Sequence, residues 1–270
     1  MGRQVVSSER HGHVATLWLD HPEGRNAMGP AFFEQLPAEV GRLGQDEQVR
    51  AVVVAARGPH FSVGLDLGSL DSLAPPAGGS PALRAQATYR QIKRLQASIG
   101  SVAHCPKPVV AAVHGRCLGG GLDLAAACDM RVCSADAVFS LRETKMAMVA
   151  DLGSLQRLCA VVGRGSLAEL ALTGRDVGAE RAERIGLVNA VAPSPEAALE
   201  EARALAEEAA ACSPLAVQGT KAVLAATQGR PVDEGLDYVA LWNAAFLASD
   251  DLAEAVSAFF EKRPARFEGR

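Results

Sequence analysis

Hydrophobic residues along the first half of the chain form two kinds of pattern. Short apolar runs rich in β-branched residues occur at 14–19, 52–56 and 107–113, and a similar run occurs at 130–133. Runs of this length and composition predict strands that are covered on both faces. Between the first two runs, residues 30–43 carry apolar side chains at helical spacing. This alternation of strands and helices predicts a layered α/β core.

The second half of the chain has a more helical pattern. Residues 71–82 are rich in Pro, Gly, Ser and Ala, which is typical of a mobile loop, and a long helix is predicted from there to about residue 103. Beyond residue 153 the pattern predicts one strand, at 187–191. The rest is predicted to be helical, with an Ala- and Glu-rich helix at 195–211 and two more helices after it. Such a helical end could cover the core or mediate oligomerisation.

Composition and charge exclude several classes of protein. A chain of 270 residues that is 49% hydrophobic can bury the core of one large domain. A net charge of −4 provides no global basic field for nucleic acid. No apolar run is long enough to cross a bilayer. The N-terminus has no apolar signal core and residues 267–270 are not a peroxisomal address, so we expect a cytoplasmic protein without nucleic-acid or membrane partners.

Cysteine and histidine spacing provides no sign of a metal site. The histidines form no H-E-x-x-H or similar ligand set, and no G-x-S-x-G motif of a serine hydrolase occurs. The cysteines form no C-x-x-C pair, and we expect them to be reduced, buried thiols. They are Cys105, Cys117, Cys128, Cys133, Cys159 and Cys212. We therefore expect neither a metal nor a separate cofactor.

Two glycine-containing turns are candidate backbone binding sites. The triplet Gly119-Gly120-Gly121 follows a predicted strand and precedes a predicted helix at 122–128. Glycine allows a sharp turn with open N–H groups, and a helix start adds partial positive charge, so an oxyanion or a phosphate would suit this place. Taken alone, however, the triplet favours a tight turn without a ligand. Residues 61–67 offer a second such turn, and two convergent N–H groups hold an oxyanion best.

Three acids could carry proton transfer. Asp123 lies just inside the predicted helix, and Glu143 and Asp151 lie in the segment 141–153. The neighbours of Asp151 are mostly apolar, and apolar surroundings raise the pKa of a carboxyl group. The structural alternatives are charge compensation of a helix start by Asp123, a surface ion pair by Glu143, and a helix cap by Asp151. Glu143 and Asp151 would lie ~12 Å apart in a straight helix and ~26 Å apart in a straight strand. To act on one small substrate, residues 143–151 must fold back.

Several motifs together identify a family. They are Arg25-Asn26-Ala27-Met28, residues 61–67, residues 107–115, the glycine triplet, Cys128-Asp129-Met130-Arg131, Phe139-Ser140 and residues 182–188. In this order they resemble the crotonase (enoyl-CoA hydratase/isomerase) superfamily over about residues 12–262. The resemblance implies a spiral of ββα units over residues 1–195 and a helical trimerisation region over residues 196–270. It also implies an acyl-coenzyme A (CoA) thioester substrate and a homotrimer or a dimer of trimers.

The resemblance also implies residue roles. The N–H groups of Leu65 and Gly120 would form an oxyanion hole for the thioester carbonyl. Residues implied to bind the substrate or its CoA are Arg25, Ala27, Val63, Gly64, Asp66, Leu67 and Gly119. Arg25, Lys262 and Arg263 are candidates for holding the CoA phosphates.

The acids distinguish reactions within the superfamily. Asp123, Glu143 and Asp151, with residues 152–158 and 217–221, resemble the delta(3,5)-delta(2,4)-dienoyl-CoA isomerase subfamily, which uses three matching acids. Hydratases carry a glycine where Asp151 stands. We therefore expect an isomerase of fatty acid β-oxidation in which Asp151 removes a proton at C2, Glu143 delivers one at C6, and Asp123 orients or tunes the pair. The two ends could be exchanged, and a hydratase or an inactive acyl-CoA binder are the alternatives.

Overall fold

The computed structural model describes residues 3–69 and 80–270. Its strands are β1 (Val6–His11), β2 (Val14–Leu19), β3 (Ala51–Ala56), β4 (Val109–Val113), β5 (Arg116–Leu118), β6 (Met130–Ser134), β7 (Val138–Ser140), β8 (Val177–Gly178) and β9 (Ala190–Ala192). Six of them form one sheet in the order β1-β2-β3-β4-β6-β9. β1 pairs with β2 antiparallel and the other pairings are parallel. Every residue of β2, β3 and β4 is buried, as expected for strands covered on both faces.

The helices of the described residues lie around this sheet. They are α1 (Pro30–Gln45), α2 (Pro81–Ala103), α3 (Gly120–Ala127), α4 (Ser154–Thr173), α5 (Ala179–Arg184), α6 (Pro195–Ala211), α7 (Pro214–Thr227), α8 (Val232–Phe246) and α9 (Asp250–Glu261). Helix α1 buries Phe32, Leu36, Val40 and Leu43, one residue per turn, in the core cluster on one face of the sheet. The predicted α/β class and the helix at 30–43 are therefore confirmed.

A second, three-stranded sheet brings distant parts of the chain together. β5 pairs parallel with β7, and β7 pairs antiparallel with β8. Isolated bridges extend this layer, because Ser62 pairs with Cys117 of β5 and Met28 pairs with Leu65. The turns after β3 and after β5 thus lie side by side, and this layer positions the candidate site.

Helix α6 covers the opposite face of the six-stranded sheet. Its buried residues Ala198, Ala202, Ala206 and Ala210 recur every four positions and pack in the same cluster as β-strand residues such as Val53 and Val110. Small side chains on this face allow the helix to approach the sheet closely. The predicted domain border at residues 195/196 stays a prediction, but this packing favours a border after α6.

The C-terminal end differs from its prediction in helix number. Three helices, α7 to α9, follow α6, whereas the pattern predicted two. The break at 228–231 contains Gly229 and Pro231, which end one helix and begin the next. These helices expose large apolar side chains: Leu224, Val232, Leu241, Phe259 and Phe260. Trimerisation through this region stays a prediction.

Other differences concern boundaries and burial. The strand predicted at 187–191 occurs at 190–192, because Leu187 and Val188 are buried in the turn before it. Positions 71–79 of the predicted loop lie outside the described residues, while Ser80 caps α2 and Pro81 begins it, so the loop ends earlier than predicted.

The six thiols divide into two groups. All six are free, as predicted, but Cys159 and Cys212 are exposed rather than buried. Cys159 lies on α4, and Cys212 directly follows the last residue of α6. Within residues 3–69 and 80–270, none of the helices has the length and apolarity needed to cross a membrane.

Candidate active site

Two backbone N–H groups lie free at neighbouring turns. The N–H groups of Leu65 and Gly120 donate to no acceptor in the described part of the chain. Gly120 is the first residue of α3, so its N–H has no partner within the helix. A Cβ atom placed on Gly120 would lie 3.8 Å from the Leu65 nitrogen, which shows that the two turns are in contact. This arrangement can hold an oxyanion between two donors.

Gly64 explains why the first of these turns has its shape. Its φ of +90° is favourable only for glycine, and a Cβ there would lie 2.7 Å from the Leu118 carbonyl oxygen. The turn is fixed by the Met28 N–H, which donates to the Gly64 carbonyl at 2.8 Å, and by the Gly64 N–H, which donates to the Ser62 hydroxyl at 3.1 Å. The free Leu65 donor is therefore positioned by backbone geometry.

Asp123 is a buried carboxylate, with 1% of its surface exposed. Its Oδ1 accepts a 2.6 Å hydrogen bond from the Ser154 N–H, so it caps α4, a helix other than its own. Burial raises the pKa of Asp123 to about 6, although this hydrogen bond and the charge of Arg157 act in the opposite direction. The predicted compensation of a helix start is thus present, but at a different helix.

Glu143 lies where the chain folds back. It begins a short 3-10 turn, Glu143–Met146, and the Met148 N–H donates to the Glu143 carbonyl at 2.9 Å. Burial raises the pKa of Glu143 to about 7, and the charges of Asp123 and Asp151 add to the shift. Its Oε2 is buried and has no hydrogen-bond partner among the described residues. A Cβ on Gly119 would lie 3.1 Å from Glu143 Oε1, so this carboxyl group lies beside the turn of the Gly120 donor.

The surface ion pair considered for Glu143 is not formed with its neighbour Arg142. Both oxygens of Asp176 accept from Arg142 Nη2 at 2.7 Å, so that guanidinium group is engaged elsewhere. A buried carboxyl without a partner is costly in a folded protein. Glu143 is therefore available to an incoming ligand.

Asp151 lies on the segment between the 3-10 turn and α4. The residue is exposed, yet partial burial of its carboxyl group raises the pKa. It does not cap α4, because Gly153 takes the N-cap position without a side-chain bond. Asp151 acts electrostatically on both Glu143 and Asp123, so the structure brings the three predicted acids together.

The other predicted residues divide into two sets. Arg25, Ala27 and residues 63–67 lie together, since the Val63 N–H donates to the Arg25 carbonyl at 3.3 Å and Met28 pairs with Leu65. Arg25 and Leu67 are exposed there, and Asp66 accepts from the Gly68 N–H at 3.0 Å. Arg263 lies after α9 and donates to both oxygens of Glu254 at 2.6 and 2.8 Å. This engagement argues against Arg263 as a phosphate ligand, while Lys262 is exposed beside it.

Sequence reasoning missed two residues at the site. Gln96 of α2 donates to the Asp151 carbonyl at 2.7 Å, and Arg157 of α4 donates to the Leu152 carbonyl at 3.1 Å. Nothing in the local pattern singles out Gln96, which is far from Asp151 in the chain. Arg157 lies inside the 152–158 motif, which was the available signal.

Comparisons with known proteins show what the chain is similar to. The sequence model of the family described as enoyl-CoA hydratase/isomerase matches residues 9–270. The peroxisomal delta(3,5)-delta(2,4)-dienoyl-CoA isomerase of Arabidopsis thaliana is 42% identical over 98% of this chain and 96% of that protein. The mitochondrial delta(3,5)-delta(2,4)-dienoyl-CoA isomerase of Dictyostelium discoideum is 44% identical over 93% of this chain and 86% of that protein.

A solved structure confirms the predicted fold. An enoyl-CoA hydratase from Bacillus anthracis superposes with a TM-score of 0.89 at 29% identity, covering 99% of this chain and 100% of that one. The fold is therefore the crotonase-like α/β spiral that the motifs implied.

The same comparisons correct the predicted location. The two isomerase relatives are named as peroxisomal and mitochondrial proteins, so the prediction of a cytoplasmic location is wrong. Cellular addresses are carried by short segments that are read by receptors and are independent of the fold. The composition of the folded domain therefore carried no information about the compartment.

Proposed function

The chain belongs to the enoyl-CoA hydratase/isomerase family, and we propose that it converts 3,5-dienoyl-CoA to 2,4-dienoyl-CoA. The observation that carries the proposal is the presence of three mutually interacting acids, each with a raised pKa, beside a pair of free backbone donors. Relatives more than 40% identical over most of the chain are dienoyl-CoA isomerases.

The reaction begins at the thioester. The carbonyl oxygen accepts from the N–H groups of Leu65 and Gly120, which stabilises the negative charge that develops there. Asp151 removes a proton from C2, and the electron pair of the C2–H bond enters the conjugated system as a dienolate. The double bonds then lie at C2–C3 and C4–C5 once C6 has received a proton from Glu143. One proton leaves and one arrives, so the reaction consumes no oxidant and needs no separate cofactor.

The raised pKa values fit these roles. A group with a pKa of about 7, such as Glu143, is protonated in a large fraction of molecules at neutral pH and can donate. Asp151 is the more exposed of these two acids, and partial burial raises its pKa, which makes its carboxylate a stronger base for the C2 proton. Asp123 adds negative charge, which raises the pKa of Glu143 and keeps it protonated.

The family also provides a basis for proposals on substrate binding and assembly. We propose that Arg25, Ala27, Val63, Gly64, Asp66, Leu67 and Gly119 line the path of the CoA group. Their common position beside the two donors supports this assignment. We also propose a homotrimer or a dimer of trimers acting in fatty acid β-oxidation, and the exposed apolar side chains of α7 to α9 support such an assembly.

Asp151→Asn tests the proposed base. Asn has nearly the same size but cannot accept the C2 proton, so we expect formation of the 2,4-diene, followed by its absorbance, to be abolished. Binding of a non-reactive acyl-CoA, measured by calorimetry, should persist. The exposed Glu47, changed to Gln, is a control for loss of one negative charge and should retain full activity.

The same assay separates the hydratase alternative. A hydratase would consume the absorbance of a 2-enoyl-CoA by adding water, whereas the isomerase creates a conjugated diene. Full diene formation by the Asp151→Asn variant would refute the proposed role of this acid. Binding of enoyl-CoA ligands without turnover of any of them would instead support an inactive acyl-CoA binder.

A further inference from the structure

The turn that carries Asp151 is held from two sides by long polar side chains. Gln96 Nε2, from α2, donates to the Asp151 carbonyl at 2.7 Å. Arg157 Nη1, from α4, donates to the Leu152 carbonyl at 3.1 Å. Both side chains are only partly exposed, and Gln96 Oε1 is itself fixed by Lys93 Nζ at 2.9 Å. Two adjacent carbonyls of an irregular segment are thus fixed to two separate helices.

Arg157 also packs on the turn. Its guanidinium group folds back over Gly153, where a Cβ atom would lie 2.8 Å from Arg157 Cζ. Gly153 has a φ of +120°, so this position requires glycine both for its backbone and for the space that Arg157 fills. A Cβ on Gly100 would lie 3.8 Å from Arg157 Nη2, which shows that the guanidinium group reaches α2 as well.

The charge of Arg157 lies close to the acids, because its guanidinium group packs on Gly153 and the next residue, Ser154, donates its N–H to Asp123 Oδ1 at 2.6 Å. Its interaction with Asp123 stabilises the ionised form of that carboxyl group, opposing the effects of burial and of Asp151. The other titratable groups that interact with Asp123 are Glu143, Asp151 and the thiol of Cys117, while the thiol of Cys128 interacts with Arg157. Burial raises the pKa of both thiols, so they are neutral. Arg157 is the cation that acts on Asp123 among the described residues.

We propose that Gln96 and Arg157 are positioning residues for the isomerase, which fix the turn of Asp151 through its carbonyl groups, and that Arg157 also holds its positive charge close to Asp123. This inference rests on the proposed function. Both residues fix the turn, but only Arg157 carries a charge. That difference allows their variants to be distinguished from variants that merely weaken the fold.

Three substitutions separate the two roles. Gln96→Leu removes one hydrogen bond and no charge, so kcat should fall about tenfold while the pH profile stays in place. Arg157→Lys keeps the charge but loses the planar fork, so it should behave like Gln96→Leu. Arg157→Gln removes the charge, so kcat should fall and the acid limb of the pH profile should also move to higher pH, by about half a unit to one unit. KM should change little in all three variants.

The control is Arg164→Gln. Arg164 is an exposed arginine of the same helix, so this variant loses the same charge and should keep the wild-type kcat and pH profile. An Arg157→Gln variant with the wild-type pH profile would overturn the charge role, and a Gln96→Leu variant with the wild-type kcat would overturn the positioning role. If Arg157→Gln does not fold, Arg157→Lys and Gln96→Leu still decide the positioning role.

A second measurement is independent of turnover. The carboxyl carbon of labelled Asp123 can be titrated by NMR in the wild type and in Arg157→Gln, and we expect a higher pKa in the variant. An unchanged titration would overturn the charge role even if the protein had no isomerase activity. Absence of diene formation by the wild type would contradict the proposed function alone.

Discussion

The two halves of the candidate site are built in different ways. The donors, Leu65 and Gly120, are backbone groups at turns that link strands of a buried sheet to the following segments. The acids Glu143 and Asp151 are side chains on an irregular segment between β7 and α4, held by a few hydrogen bonds. Asp123 lies between these cases, because it is a side chain on a buried helix.

The hydrogen-bonding ability of the donors is therefore fixed, whereas the protonation of the acids can be tuned. A backbone N–H donates at any ordinary pH, and its position changes only if the fold changes. A carboxyl group donates or accepts a proton according to its pKa, which burial and neighbouring charges determine. We therefore expect a substitution near the donors to lower activity by moving the N–H groups. A substitution of an acid should lower activity by removing its ability to transfer a proton.

The largest expected effect tests the chemistry of the acids. Glu143→Gln keeps the shape but has no proton to deliver at C6, so the isomerisation rate should fall about 10²–10⁴-fold. Exchange of the C2 proton with deuterated solvent, followed by NMR, should continue because Asp151 and both donors remain. Equal loss of both activities would mean that Glu143 acts at C2. The control is Glu169→Gln, which removes the charge of a glutamate that forms an ion pair with Arg175 and should keep both activities.

The next effect tests the geometry of the donors. Gly64→Ala would bring a Cβ within 2.7 Å of the Leu118 carbonyl oxygen, so the turn must shift and the Leu65 donor with it. We expect kcat to fall about 10²–10³-fold. Gly163→Ala is a matched control, because Gly163 also has a positive φ, +73°, and its Cβ would meet nothing within 4 Å. Gly163→Ala should cost about 1–2 kcal/mol of stability and leave kcat unchanged; a comparable loss of kcat there would break the comparison.

The smallest effect concerns stability. The pKa of Asp123 is about 6 in the folded protein, above its reference value of 3.8, so the unfolded chain loses its proton first. The free energy of unfolding should therefore fall as pH rises from about 4 to about 6, and this cost should be complete above that range. Asp123→Asn removes the charge, so it should stabilise the protein at pH 8 by about 1–3 kcal/mol while lowering activity. Denaturant unfolding at pH 4 and pH 8 measures this difference, which should vanish at the lower pH.

The regular parts of the fold could be predicted from sequence. The strand at 14–19 and the helix at 195–211 coincide with β2 and α6, because their apolar patterns reflect burial against one face or two. β1, β5, β7 and the two-residue β8 were missed. β1 is an edge strand with polar residues such as Glu9 and Arg10, and β5 and β7 have three residues each, too few for a period to be recognised.

The site was less accessible to sequence reasoning. The motifs pointed to the three acids, but their approach depends on the 3-10 turn at Glu143, on the left-handed residue Ala147, and on a bond from Gln96. None of these features produces a repeating pattern of apolar residues that could be recognised in the sequence. The cap of α4 by Asp123 is a contact between distant residues, so local rules assigned it to the wrong helix.

One continuous stretch, residues 119–157, contains Gly120, the three acids and Arg157. The residues proposed to transfer protons are therefore encoded by one short segment of the gene. Recombination with one junction on each side of the stretch would carry it into another scaffold of the same fold, where the host would supply the counterparts of Leu65, of Gln96 and of the residues proposed to bind CoA. A single short gene segment therefore encodes Gly120, the three acids and Arg157 together.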